Sequence, residues 1–145
     1  MAVTKIHPIK STLKKALDYI ENPDKTEDKM LVSSFGCSYE TADIEFEMLL
    51  AQAIQKGNNL AHHLIQSFAP GEATPELAHE IGLALAKKLW GEKYQVLVTT
   101  HLDKAHHLHN HFVVNTVSFV DGIKYYRSEK DYFAMQRESD RLCRE

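Results

Sequence analysis

Five histidines fall within eleven residues of this chain: His101, His106, His107, His109 and His111, in the segment TTHLDKAHHLHNHFVVN that spans 99–115. Imidazole nitrogen is the commonest protein ligand for divalent transition metals. Apolar, β-branched runs flank the segment, which reads as an antiparallel hairpin. Side chains alternate along a strand, so His107, His109 and His111 share one face. His101 closes the first strand and meets them across the turn. Residues four apart in a strand are about 13 Å from one another, and a metal lies about 6–7 Å from the Cα of its histidine ligand. An adjacent pair on the second strand plus His101 satisfies both lengths. Two trios remain open: His101, His109 and His111, or His101, His107 and His109. Asp103 lies in the turn, where a carboxylate can accept the other ring N–H of a ligand imidazole. Three neutral nitrogens without a thiolate suit an open, catalytic divalent ion better than a closed structural one. Cys37 and Cys143 stand 106 positions apart, form no ligand motif and are expected to be reduced and structural.

The elements that must carry these residues follow from periodicity and punctuation. Residues 2–9 read as a strand, with Pro8 placing it at an edge or a strand end. Ser11 caps a helix through Leu13, Ala16, Leu17 and Ile20 that stops at Asn22-Pro23. Residues 30–36 form a second strand, 39–56 a long helix stopped by Gly57, and 59–68 a buried strand. Thr74 and Pro75 open a third helix that runs to Leu89. Strands follow at 94–101 and 108–120, then an Asp121-Gly122 turn, a short strand at 123–126 and a final helix capped by Ser128. The order β-α-β-α-β-α-β-β-(β)-α makes an α/β (α+β) domain: a mainly antiparallel sheet of about five strands with helices packed on it. The first strand, the third strand and the histidine hairpin are expected at its centre. His62 and His63 take opposite faces of the third strand, so one of them can reach the active-site face, though hydrogen-bonded core roles are expected. His79, beside Glu80, reads as a surface or satisfied residue, and His7 carries no role.

Composition bounds the rest. The chain has 145 residues, 43% hydrophobic and 26% charged, which is one ordinary globular domain over 1–145, with room for it to be the N-terminal part of something longer. No apolar run reaches the roughly 20 residues of a membrane span. The opening MAVTKIHPIK lacks the apolar core of a signal peptide, so a cytoplasmic protein without a membrane partner is expected. The net charge of −3, from 17 Lys+Arg and 20 Asp+Glu, does not announce a nucleic-acid binder, but a fold can segregate its charges.

The stretch His101-Leu-Asp103 followed by His109-Asn-His111-Phe-Val-Val-Asn115 resembles the third motif of conjugative relaxases, the mobilisation nucleases of the HUH endonuclease class. That motif holds a histidine, an aspartate two on, a His-x-His pair seven to eight residues further, and an asparagine four after the last histidine. Asn110 departs from it, since the residue between the paired histidines is usually hydrophobic. The register His107-Leu108-His109 meets that rule but leaves Asn115 six residues on. The opening AVTKIHPIKSTLKKALDYIENPDKT resembles the family's first motif through Tyr19 and Lys25-Thr26, and HHLIQSFAPGEATPELAHEIG resembles the mobilisation-protein form of the domain.

The resemblance implies a palm-like domain in a bacterial cytoplasm that cuts and rejoins one DNA strand at an origin of transfer. Tyr19 would attack a phosphodiester of single-stranded DNA and keep the 5′ phosphate, with Tyr39 the next candidate. His101, His109 and His111 (His107 in the other register) would hold one divalent ion, Mn²⁺ or Mg²⁺, or Zn²⁺, Co²⁺ or Ni²⁺. Imidazole ligands favour the transition metals over Mg²⁺. Asp103 would act through a ligand histidine. Lys25, Thr26, Asn115 and Arg127 would contact DNA, with Tyr125 and Tyr126 available to stack on bases. Accessory relaxosome proteins would be partners. Two rivals stay open: a metal-dependent hydrolase that activates water at the same histidines, and a non-catalytic DNA-binding module with a structural metal.

Overall fold

Apolar residues on both parities of a strand require cover on both faces, and the longest such strand here occupies the middle of the sheet. The structure is a computed structural model. It describes residues 3–9, 13–21, 31–51, 60–69, 73–90, 93–102, 108–120, 137 and 141, and at 3–8, 20 and 102 the backbone alone. The strands are β1 (Val3–Ile9), β2 (Val32–Phe35), β3 (Ala61–Ser67), β4 (Tyr94–Leu102) and β5 (Leu108–Ser118), in the order β1-β3-β5-β4-β2. Each neighbouring pair is antiparallel. The helices are α1 (Leu13–Ile20), α2 (Ala42–Ala51) and α3 (Pro75–Leu89).

Helices cover both faces of the sheet. Leu13 and Leu17 of α1 and Phe46 of α2 pack with Ala61, Leu97 and Val113 on one side. Leu85 and Ala86 of α3, with Trp90, pack with Leu64, Val96, Val98, Phe112 and Val114 on the other. Phe112 and Val113 are adjacent in β5 and both fully buried, on opposite faces. Burying a side chain of either kind contributes about 1.5–3 kcal/mol. Helix α3 begins as its sequence requires. The Thr74 hydroxyl accepts the Leu77 N–H at 3.2 Å, Pro75 stands at the first turn, and Lys87 and Lys88 stand at the negative end of the helix dipole. Gly36 takes φ 71° at the end of β2, a conformation only glycine adopts without strain.

Two expectations need amendment. Strand β1 is an edge strand of the described sheet, not a central one; the centre is β3, β5 and β4. Pro8 has no N–H to offer a second neighbour, so an edge suits it. The long helix expected from Tyr39 begins as a 3-10 turn, Tyr39–Thr41, and becomes α-helical only at Ala42. The expected short strand at 123–126 and the Ser128 cap lie outside the described residues.

The edge position of β1 explains how α1 reaches the middle of the sheet. Strands β1 and β2 lie at opposite edges, so the chain between them must cross four inter-strand gaps, about 19 Å at ~4.8 Å each. Helix α1 lies on that crossing and packs on β4 and α2. Among the described residues no helix is long and apolar enough to cross a membrane.

Candidate active site

Register decides which histidines meet. His101 of β4 stands directly opposite His109 of β5, and His111 stands opposite Thr99. On the far side of β5, Ser67 of β3 pairs with His109 and Ile65 with His111. His101, His109, His111, His63 and Ser67 therefore lie on one face, the face that α1 crosses. The ring centroids of His101 and His111 are 4.2 Å apart, and those of His109 and His111 are 6.4 Å apart. His101 and His111 are buried at 3% and 8% exposure.

Tyr19 completes the cluster. Leu13 and Leu17 anchor α1 in the core, which leaves Tyr19 on the helix's outer side, 56% exposed. Its ring meets His101 edge-on at 5.9 Å between centroids and His111 at 6.4 Å. Tyr39 is placed differently: it packs half-buried against the core beneath α1 and α2. Lys14, another exposed residue of α1, forms a surface ion pair with Asp18 at 3.0 Å. Lys15 is exposed.

The remaining ring nitrogens are set from β3. His63 Nε2 lies 2.8 Å from His111 Nδ1, and Ser67 Oγ lies 3.0 Å from His109 Nδ1. One proton serves each nitrogen–nitrogen contact. If His111 binds a metal through Nε2, its Nδ1 carries the proton and donates to His63 Nε2. By the same rule His109 Nδ1 donates to the Ser67 hydroxyl. These are the partners that fix tautomer and ring orientation in metal-binding histidines.

Residues and ion can be compared by size and by donor chemistry. Three imidazoles around a tetrahedral ion, each with a bond of ~2.1 Å, hold their ring centroids about 5 Å apart. The two spacings here fall on either side of that value. Among the described residues no three donors already converge as a metal set, so the rings must turn to bind one. The Thr99 hydroxyl, opposite His111, is buried without a hydrogen-bond partner among the described residues. Such an orphan costs about 1–3 kcal/mol. A polar group in that space would relieve it, and the nitrogen donors suit a divalent ion.

Sequence reading left Ser67 unassigned and misplaced Asn115. Core roles were expected for His62 and His63, with one of them able to reach the site; His63, which shares its parity on β3 with Ser67, is the one that faces it. Asn115, expected at the DNA, is fully buried. Its amide nitrogen donates to Phe46 O at 3.2 Å and Gln95 Oε1 at 2.9 Å, and its oxygen accepts from Val117 N at 3.1 Å. It ties α2 to the sheet instead. Asp103, His107, Lys25, Thr26 and Arg127 lie outside the described residues.

Comparison with known proteins identifies the family. Residues 19–145 match the family model "Relaxase: MobA/VirD2-like, nuclease domain". The chain is 39% identical over its whole length to a protein named rlx of Staphylococcus aureus, of which it spans 44%. It is 35% identical over 130 residues to the group II intron-interrupted relaxase LtrB of Lactococcus lactis subsp. cremoris, covering 72% of this chain and 23% of that protein. The chain thus spans less than half the length of these relatives.

Proposed function

We propose, for a chain that belongs to the MobA/VirD2-like relaxase nuclease family, that it nicks and rejoins one DNA strand at an origin of transfer through a tyrosine–DNA intermediate. The observation that carries this reading is the exposed Tyr19 ring set edge-on against His101 and His111. A phenol ionises near pH ~10 and needs help to attack at neutral pH. The Tyr19 Oη–phosphorus bond forms as the phosphorus–O3′ bond breaks. The phenol proton ends on the departing 3′ oxygen, so one phosphodiester replaces another and the reaction can run backwards. His101, His109 and His111 would hold one divalent ion beside the scissile phosphate, where it supplies Lewis-acid stabilisation of the developing charge. His63 and Ser67 hold the protons at His111 Nδ1 and His109 Nδ1. Asp103 would do the same for His101. Lys25, Thr26 and Arg127 would contact DNA phosphates, and accessory relaxosome proteins would present the origin.

Incubation with a 3′-end-labelled single-stranded origin oligonucleotide and Mn²⁺ tests the reading. A labelled band that migrates with the protein on a denaturing gel is expected. Cleavage with both products free of protein would favour the water-activating hydrolase. Unfolding on chelation, with no cleavage, would favour a binding module with a structural metal.

His63→Ala removes the partner of His111 without removing a ligand. Loss of such a partner weakens metal binding by about 10–100-fold. Calorimetric titration with Mn²⁺ should show that drop while the far-ultraviolet circular dichroism stays unchanged. Unaltered affinity would remove His63 from the account.

A further inference from the structure

Asn110 is a polar residue enclosed in a core. It lies between His109 and His111 in sequence, so it points to the opposite face of the sheet, beneath α3, and is fully buried. Its Nδ2 donates to Gln66 Oε1 at 2.9 Å and to Ala78 O of α3 at 2.7 Å. Its Oδ1 accepts from the Thr100 hydroxyl at 2.6 Å. Gln66, Asn110 and Thr100 are register partners on three adjacent strands and form one polar row across β3, β5 and β4. The next row towards the hairpin end, on the other face, is Ser67, His109 and His101.

Proton direction through this row is determined. Ala78 O can only accept, so the Asn110 amide nitrogen must face α3. The Thr100 proton is committed to Asn110 Oδ1, so Thr100 Oγ1 accepts from His79 Nδ1, 2.8 Å away. His79 Nε2 then accepts from the Ser33 hydroxyl at 2.8 Å. This order requires a neutral His79, and burial lowers its pKa in that direction. Donors thus run from β2 through α3 and β4 to β5 and β3 with no reversal.

Helix α3 makes room for the arrangement. A Cβ on Gly82 would stand 2.7 Å from Asn110 Nδ2 and 2.9 Å from its Cγ. Glycine weakens a helix interior, so its place in the third turn is explained by this approach. The position of the row matters because the His101–His109 pair lies one register step from the last pair of the hairpin, Leu102–Leu108. Strand ends fray, and a ligand pair near such an end needs a lock.

We propose that the buried row Gln66–Asn110–Thr100, plugged by His79 and fitted against Gly82, is a clamp that fixes strand register and so positions His101, His109 and His111 from the opposite face of the sheet. Asn110 is then a positioning residue. A slip of one residue would bury unpaired amides and turn the histidines away from Tyr19. The proposal rests on the metal reading of those histidines.

Co²⁺ titration followed by its d–d absorption reads ligand geometry directly. Asn110→Leu should bind Co²⁺ about 10–100-fold more weakly, as loss of an orienting partner does elsewhere. The triple variant Gln66→Leu, Thr100→Val, Asn110→Leu removes the row's three polar side chains together, which recovers part of the lost stability, with His79 Nδ1 the donor that gives up its Thr100 partner. It should keep the weakened affinity and an altered spectrum. A triple variant with wild-type affinity and spectrum would overturn the clamp and leave the row a mere core filling. Hydrogen exchange on the wild-type chain gives a second test: amides at 100–101 and 109–111 should be as protected as those at 112–114. Free exchange at the histidine end would also overturn the clamp. Wild-type protein that binds Co²⁺ no better than His109→Ala would instead overturn the metal reading, and the clamp's function with it.

Discussion

Tyr19→Phe is expected to abolish both strand cleavage and the covalent protein–DNA band, to below detection, while the protein stays folded and binds single-stranded DNA. The substitution deletes one hydroxyl from a side chain that is 56% exposed, so its cost in stability should fall within about 0.5 kcal/mol. The edge-on contacts with His101 and His111 belong to the ring and survive in phenylalanine. Only the attacking oxygen is lost. Denaturing gels for the adduct, beside gel shifts for binding, separate the two effects. Cleavage that persists in Tyr19→Phe and vanishes in Tyr39→Phe would move the nucleophile to the 3-10 turn at Tyr39.

His109→Ala is expected to lose the divalent ion and cleavage together. His109 is the residue that stands directly across from His101 and also receives its orientation from Ser67. Removing a ligand should exceed the ~10–100-fold loss that follows removal of an orienting partner. The fold should persist, because the two larger apolar clusters lie further along β5, at Phe112, Val113 and Val114. Mn²⁺ calorimetry and a thermal melt in the presence of chelator check both halves. Retention of metal affinity by His111→Ala, with its loss in an otherwise folded His107→Ala, would select the other trio, His101, His107 and His109.

How much of this could be read from residues alone depended on range. The alternation of His109 and His111 gives a shared face, and the flanking β-branched runs give the pairing of β4 with β5. Capping at Thr74-Pro75 gives the start of α3, because each of these signals is local. Contacts between β3 and β5 are not local. That His63 reaches His111 depends on a register set by packing along the whole strand pair. Asn115 shows the converse limit. Its spacing after His111 fits a motif, but spacing does not say whether a side chain faces solvent or is enclosed between α2 and β4. Pro8, which lacks an N–H, is compatible with the edge position that β1 takes, but nothing local says which strands flank it. The edge-to-edge crossing by α1 delivers Tyr19 to the histidines.

The central claim is that the tyrosine of α1 takes the DNA. Digesting the purified adduct with nuclease and protease and sequencing the modified peptide by mass spectrometry tests it without any substitution. The expected product is a single peptide that carries a 5′-linked nucleotide phosphate on Tyr19. A nucleotide on Tyr39 or on any other tyrosine, or cleaved DNA with no modified peptide, would contradict the account.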